Sequence, residues 1–352
     1  MALSQELQIH LQDGAFIPAH PLALTSDRQL DEYAQRRLTR YYVAAGVGGI
    51  AVGVHTTQFE IRDPQFNLYE IVLRLAMEEV EKAQLQRPFL KIAGVCGDTE
   101  QALEETKIAK ALGYDMVLLS NGGLHDYSEK ELIERTKVVA EELPVFGFYL
   151  QPAVGGRIFS YEFWKEFASV DNVVGVKMAP FDRYLTLDVI RAVCASPRKD
   201  EIALYTGNDD NIVLDLFATY QFEVEGKMES KSIVGGLLGH WSVWTHEAVK
   251  LFEKIKQVRI HNDIDKHWFS IAQNVTDANS AFFDSKNTFK GSIAGINEVL
   301  SRQGLLQGNW CLTDHETLSP GQADEIDRVY ATYPQLTDDA FVQEFLRNDK
   351  NQ

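Results

Sequence analysis

The chain has little of what would mark a disulfide-stapled, membrane-spanning or nucleic-acid-binding protein. It carries 3 cysteines in 352 residues. Cys96, Cys194 and Cys311 lie far apart and in no CxxC spacing, so neither a disulfide framework nor a thiolate zinc site is expected. Each reads instead as a small buried apolar residue. No run approaches the ~20 consecutive apolar residues needed to cross a bilayer. The opening Met1-Ala2-Leu3-Ser4-Gln5-Glu6 lacks a basic segment followed by an apolar one, so no secretory signal is expected and the cytoplasm is the expected location. Basic charge is also scarce: 34 Lys and Arg stand against 51 Asp and Glu, a net charge of −17. That balance disfavours a surface that tracks nucleic-acid phosphates and favours a small-molecule partner. No GxGxxG fingerprint follows the first candidate strand, which weakens a dinucleotide-binding reading. No stretch reads as a flexible linker or a low-complexity tract.

What is present is a regular alternation. Short apolar runs begin near Phe16, Gly49, Phe89, Asp115, Val145, Val173, Ile202 and Ser232, and amphipathic segments such as Leu30–Ala45, Leu68–Leu85, Glu100–Leu112 and Glu129–Glu142 separate them. Strands alternating with helices imply βαβ units and a parallel sheet. Eight such units suit an α/β fold of the (β/α)₈ (TIM) barrel type better than an open doubly wound sheet. The hydrophobic share of 45% is ample for its core. The barrel is expected over residues 1–260. Residues 261–352 read as a C-terminal helical region packed on it, with helices near Asp263–Val275, Thr288–Gln303, Gly321–Thr332 and Asp338–Arg347. The charged stretch Gln221–Lys231 is longer than most connections of its kind and reads as a surface hairpin, with a functional lid as the alternative.

Lys177 sits in Val173-Val174-Gly175-Val176-Lys177-Met178, a run that otherwise reads as a buried strand. Burying an ammonium is costly and depresses its pKa, and only the free amine attacks a carbonyl. The alternative is a strand-end lysine whose head snorkels to solvent. Tyr149 ends the preceding strand, 28 residues earlier. One βα unit of separation predicts that the two side chains are neighbours on the C-terminal rim, where such barrels carry their chemistry, with the phenol as a proton relay.

These residues resemble the dihydrodipicolinate synthase and N-acetylneuraminate lyase family of Schiff-base aldolases. Tyr149 with Pro152 and Gly156 is similar to the family's YNxPxxTG, and Gly175-Val176-Lys177 to its lysine motif. Gly207-Asn208-Asp209 resembles its GxD turn, and Phe289-Lys290-Gly291 with Ile293-Ala294-Gly295 its helical tail. The likeness runs from about Gly14 to Val329. It implies a carbon–carbon lyase with Lys177 as Schiff-base nucleophile and Tyr149 as proton shuttle, acting on pyruvate or a larger 2-oxo acid and an aldehyde. It implies no cofactor and no metal, and a homo-oligomer, a tetramer or a dimer. The pyruvyl carboxylate would be held by backbone N–H groups of the turn after strand two.

That turn departs from the family. GTTGE is replaced by Gly53-Val54-His55-Thr56-Thr57-Gln58, so either His55 or, with a shift, Thr56 and Thr57 would stand in for the threonine relay. Gly53 and Val54 complete the expected carboxylate site. Val154 stands where a carboxylate-binding arginine is expected and Arg157 lies three residues on, which disfavours orthodox dihydrodipicolinate synthesis. Gly122 and Gly123 replace a pair of tyrosines. Gly207 and Gly236 are expected against the ligand, and His240, Trp241 and Trp244 read equally as pocket lining or packing. Two other readings stay open: a sugar-acid dehydratase using the same imine, and a catalytically weak 2-oxo-acid-binding protein of the same fold.

Overall fold

The computed structural model describes residues 2–261 and 264–349. Nine strands and thirteen α-helices are present among these residues. The strands are β1 (Phe16–Pro18), β2 (Gly49–Val52), β3 (Leu90–Val95), β4 (Met116–Leu119), β5 (Val145–Leu150), β6 (Val173–Ala179), β7 (Ala203–Thr206), β8 (Thr219–Val224) and β9 (Lys227–Leu238). The helices are α1 (Gln5–Asp13), α2 (Glu32–Ala45), α3 (Tyr69–Lys82), α4 (Thr99–Ala111), α5 (Glu129–Glu142), α6 (Tyr161–Phe167), α7 (Arg183–Cys194), α8 (Ile212–Phe217), α9 (Thr245–His261), α10 (His267–Phe282), α11 (Ser292–Arg302), α12 (Gln322–Thr332) and α13 (Asp339–Asp349). The sheet runs in the order β1-β9-β7-β6-β5-β4-β3-β2, with β8 paired only to β9. Eight parallel strands in this sequential order, each followed by helix, are the (β/α)₈ fold, here with C-terminal helices.

Two compact units divide the chain. One comprises the residues up to Ala15 and Pro88–Leu237; the other comprises Phe16–Arg87 and the chain from Leu238 onward. In the first, α1 opens at Ser4, whose hydroxyl accepts from the Leu7 N–H. Asp98, Ser160 and Asp182 cap α4, α6 and α7 in the same way, each satisfying an N–H that the first turn leaves orphaned. Ser128 and Glu131 form a reciprocal capping box at α5. Strands β4 and β5 read apolar throughout because both faces are buried.

In the second unit Gly48 N–H donates to the Phe16 carbonyl and His20 N–H to that of Ala51, joining β1 to β2. Trp241 stacks on Phe16 at 3.8 Å. Trp244 packs edge-on against Phe282 and Tyr330. The His240 ring is buried against Asn279 and Phe282, and burial pushes its pKa down to about 4. All three side chains are buried.

The segment 219–231 is a β-hairpin, with Tyr220 opposite Lys231 and Val224 opposite Lys227. It is formed by β8 and the first half of β9, whose second half pairs with β7. Of the C-terminal helices, the one expected from Asp263 begins at His267, and Asp263 itself lies outside the described residues. No helix of the described residues is long and apolar enough to cross a membrane.

Candidate active site around Lys177

Lys177 is buried in β6, where neighbouring strands fix its direction. In the parallel register it stands opposite Phe148 of β5 and Tyr205 of β7. Its Nζ lies 4.3 Å from the centroid of the Phe148 ring. On the β7 side the wall is thin: a Cβ placed on Gly207 would come within 2.7 Å of Lys177 Cε and 2.9 Å of Ala179 Cβ. Only glycine leaves that space to the lysine stem. Burial pushes the amine down to about 8, partly offset by the negative charge of Asp209. Roughly a tenth of the amine is then neutral at pH 7, enough to make it a nucleophile.

Tyr149 is not beside it. Tyr149 pairs with Met178, one position beyond the Phe148–Lys177 pair, and successive residues of a strand face opposite ways. Its ring is buried between Trp164 at 5.0 Å and Phe159 at 5.7 Å, and its hydroxyl accepts from the Phe159 N–H at 3.3 Å. Burial raises its pKa, and the charges that act on it belong to Asp182, Asp188 and Glu129, in and beside the helices. The cause is a bulge. Val145 pairs with Val173, 28 residues on, but Phe146 pairs with Gly175, 29 residues on. The extra residue, Val174, turns Tyr149 from the lysine's face to the helix layer and puts Phe148 in its place.

The turn after β7 is pinned from outside. Asn208 Oδ1 accepts from the Phe181 N–H at 3.0 Å, and its Nδ2 donates to Thr186 Oγ1 and Asp215 Oδ2. Asp215, fully buried, also accepts from Thr206 Oγ1, Asn211 Nδ2 and Arg183. With Asn208 held by helix residues, the next side chain, Asp209, is buried and acts electrostatically on Lys177. Gly236 pairs with Thr206, a position turned away from the lysine's face. The close approach belongs to Gly235, whose Cβ would meet the Ala15 carbonyl at 2.6 Å and the Tyr205 ring at 2.7 Å.

In the other unit, the turn Gly53–Gln58 is held by its own threonines. Thr57 Oγ1 donates to the His20 carbonyl at 2.6 Å and accepts from the Gly53 and Val54 N–H groups. Thr56 Oγ1 donates to the Ala19 carbonyl at 2.7 Å. Both hydroxyls serve backbone, which argues against a threonine relay, and the two N–H groups expected for a carboxylate are already engaged. His55 is half-buried, edge-on to Phe59 at 5.9 Å. Arg62 donates to the Gly53 carbonyl, and Gln58 Oε1 accepts from the Leu312 N–H at 2.7 Å. Among the described residues no group of three or more His, Cys, Asp or Glu is placed to hold a metal ion.

Residues 15–221 match the model of the dihydrodipicolinate synthetase family. The chain belongs to this family. A 4-hydroxy-tetrahydrodipicolinate synthase of Alkaliphilus oremlandii is 31% identical over 147 residues, 41% of this chain and 47% of the relative. One from Clostridium novyi is 27% identical, over 46% of this chain and 54% of its own. The aligned stretches thus span about half the length of these relatives. Among solved structures, dihydrodipicolinate synthase from Oceanobacillus iheyensis superposes with a TM-score of 0.74 at 18% identity, covering 93% of this chain and 99% of that one. N-acetylneuraminate lyase from Fusobacterium nucleatum gives 0.68 at 17%, covering 92% and 99%. At such identities the superpositions show the fold.

Arg157 does not stand free as a carboxylate anchor: its guanidinium donates to the backbone carbonyls of Leu124, His125 and Tyr127 and lies over the Phe159 ring. Val154 is half-buried in the short helical turn Pro152–Val154. Gly156 is required there, since its Cβ would lie 1.9 Å from the Leu150 carbonyl. Gly123 N–H reaches the Gly155 carbonyl at 3.4 Å, so small residues let the two loops meet. The sequence reading passed over Phe148 and Asp209. The GxD turn signalled Asp209, whereas nothing in the local sequence marked the bulge that exchanges Phe148 for Tyr149.

Proposed function

We propose that this member of the dihydrodipicolinate synthetase family is a Schiff-base lyase. Its Lys177 amine attacks the ketone of a 2-oxo acid of the pyruvate type, and the imine drives making or breaking of the bond to an aldehyde. The observation that carries this reading is the buried amine, pushed down to about 8 in a pocket of Phe148, Ala179 and Gly207. A lysine held there by packing, with a carboxylate acting on it, is poised as a nucleophile rather than as a surface charge. No metal or organic cofactor takes part in this reading, and the site of action is the cytoplasm.

Aspartate semialdehyde is not the partner in this reading. Val154 offers no charge to its carboxylate, and Arg157 is committed to three backbone carbonyls. An extended or sugar-acid-like substrate is favoured. The working form in this reading is a homo-oligomer, a tetramer or a dimer, as the family resemblance implies. The test compares condensation of pyruvate with aspartate semialdehyde against retro-aldol cleavage of a panel of deoxy 2-oxo acids. Cleavage within the panel is expected; efficient condensation with the semialdehyde and no cleavage would overturn the assignment.

A further inference from the structure

The turn after β7 meets Lys177 through a glycine, so it is backbone that limits the lysine stem on that side. A Cβ on Gly207 would lie 2.7 Å from Lys177 Cε and 3.0 Å from its Cγ. The Gly207 N–H donates at 2.7 Å to the carbonyl of Met178, the residue after Lys177 in β6. The residues on either side of Gly207 are held by a single atom. Asp215 Oδ2, from α8, accepts from Thr206 Oγ1 at 2.7 Å and from Asn208 Nδ2 at 3.3 Å. Thr206 Oγ1 in turn accepts from the Asn208 N–H at 3.1 Å, which closes the link across the glycine. The other oxygen, Oδ1, accepts from Asn211 Nδ2 at 2.8 Å, from the Tyr220 hydroxyl at 3.5 Å and from the Arg183 guanidinium. The Asp215 side chain is fully buried, whereas that of Arg183 is 40% exposed. A carboxylate has about four acceptor sites and no donor. That suits a buried point on which donors from β7, its turn, α7 and the β8–β9 hairpin converge.

We propose that Asp215 is a positioning residue for the Lys177 site: its carboxylate fixes Gly207 by both neighbours, and Gly207 fixes the lysine stem. The inference rests on the reading of Lys177 as a Schiff-base nucleophile, and Asp215 touches no reacting atom in it. Every link is a contact: carboxylate to Thr206 and Asn208, these to Gly207 along the chain, and Gly207 to the lysine. Without the carboxylate the buried Thr206 hydroxyl loses its acceptor, and Asn208 keeps only Thr186 and Phe181. A buried donor left unpaired is costly, and the turn relieves that cost by lifting from the lysine stem. The amine then strays from its line of attack, and misplacement by about 1 Å costs on the order of 10²-fold in rate. The same carboxylate brings the hairpin, through Tyr220, into the support of the lysine.

The probe is pyruvate, with borohydride quenches at successive times and mass mapping of the Lys177 peptide. The series gives the rate of imine formation at saturating pyruvate and the concentration that gives half that rate. Both are measured at a temperature where circular dichroism shows each variant folded. Asp215→Asn should keep half-saturation within about threefold of wild type, while the saturated rate falls by about 10–100-fold. Thr206→Val, which removes only the hydroxyl donor, should also slow the saturated rate, and Thr206→Ser should restore it to within about threefold of wild type. Because the two residues act through one contact, the double variant should be no more than about threefold slower than Asp215→Asn, where independent effects would multiply. A wild-type rate in Asp215→Asn, a loss confined to half-saturation, no rescue by serine, or effects that multiply would each overturn the assignment. If Asp215→Asn does not fold, the Thr206 pair decides: slowing by valine with rescue by serine sustains the assignment, and a wild-type rate in Thr206→Val overturns it. An adduct that forms equally fast in wild type and variants sinks this inference alone. If wild type forms no adduct, the reading of Lys177 fails first and takes this inference with it.

Discussion

Phe148 and Lys177 face each other across β5 and β6, with Nζ 4.3 Å from the ring centroid, while Tyr149 stands opposite Met178. That one-residue offset decides which aromatic side chain shares the lysine's environment. The face of an aromatic ring attracts a cation, yet the ring also removes water from the amine. Burial holds the Lys177 pKa down at about 8, with the charge of Asp209 pulling the other way.

Opening the site at Phe148 should therefore relax that pKa. Phe148→Ala admits water to the amine, so its pKa should rise toward the ordinary value of 10.5. The rate of imine formation at pH 7 should fall several-fold, and the midpoint of its pH dependence should move up. An unchanged midpoint would show that the ring does not control the amine.

In wild type, imine formation should follow the neutral amine, rising with pH through about 8 and levelling above it. Stability carries the same signature. The folded amine titrates near 8 against 10.5 for the ordinary group. Between these values the unfolded chain binds more protons, so this group makes stability rise with pH across that window and is a constant cost below it. Lys177→Met should then be more stable than wild type at pH 7, by roughly 3 kcal/mol, with the gain shrinking as pH rises from 8 to 10.5. Denaturant titrations of both proteins at pH 7 and pH 10 would measure the difference.

Gly207→Ala places a methyl group 2.7 Å from Lys177 Cε. The lysine stem must tilt or the β7 turn must shift, an overpacking cost of about 1–3 kcal/mol. Imine formation should slow by at least tenfold, because the amine leaves its fixed position. Normal trapping kinetics in this variant would contradict the packing described here.

Arg157→Leu should loosen the loop that follows β4 rather than change which carboxylated aldehyde is accepted. Its guanidinium bonds the Leu124, His125 and Tyr127 carbonyls. Amide exchange in 121–128 should quicken, while any discrimination between charged and neutral aldehydes stays as in wild type. A selective loss of charged aldehydes would return Arg157 to the role of anchor.

Much of the architecture was legible because alternation and caps are local. Strands expected from Phe16, Gly49, Val145 and Val173 begin at those residues, and the helix expected over Glu129–Glu142 has those limits. Helix α1 escaped because Gln5–Asp13 has only a weak apolar stripe, with Leu11 as its one buried residue. At the site, Lys177 stood out as a charge in an apolar strand. The facing of Tyr149 could not be read, because it depends on where β5 and β6 slip by one residue. The sense of Thr56 and Thr57 was hidden for a similar reason: a hydroxyl serves substrate or backbone according to partners distant in sequence, here Ala19 and His20.

The central claim is a covalent imine on Lys177, and borohydride trapping tests it most directly. The protein is incubated with pyruvate and larger 2-oxo acids, reduced, digested, and the modified peptide sequenced by mass. One stoichiometric adduct is expected, on the peptide containing Val176-Lys177-Met178, and none in Lys177→Met. An adduct on a different lysine, or none with any 2-oxo acid at pH 8, would contradict it.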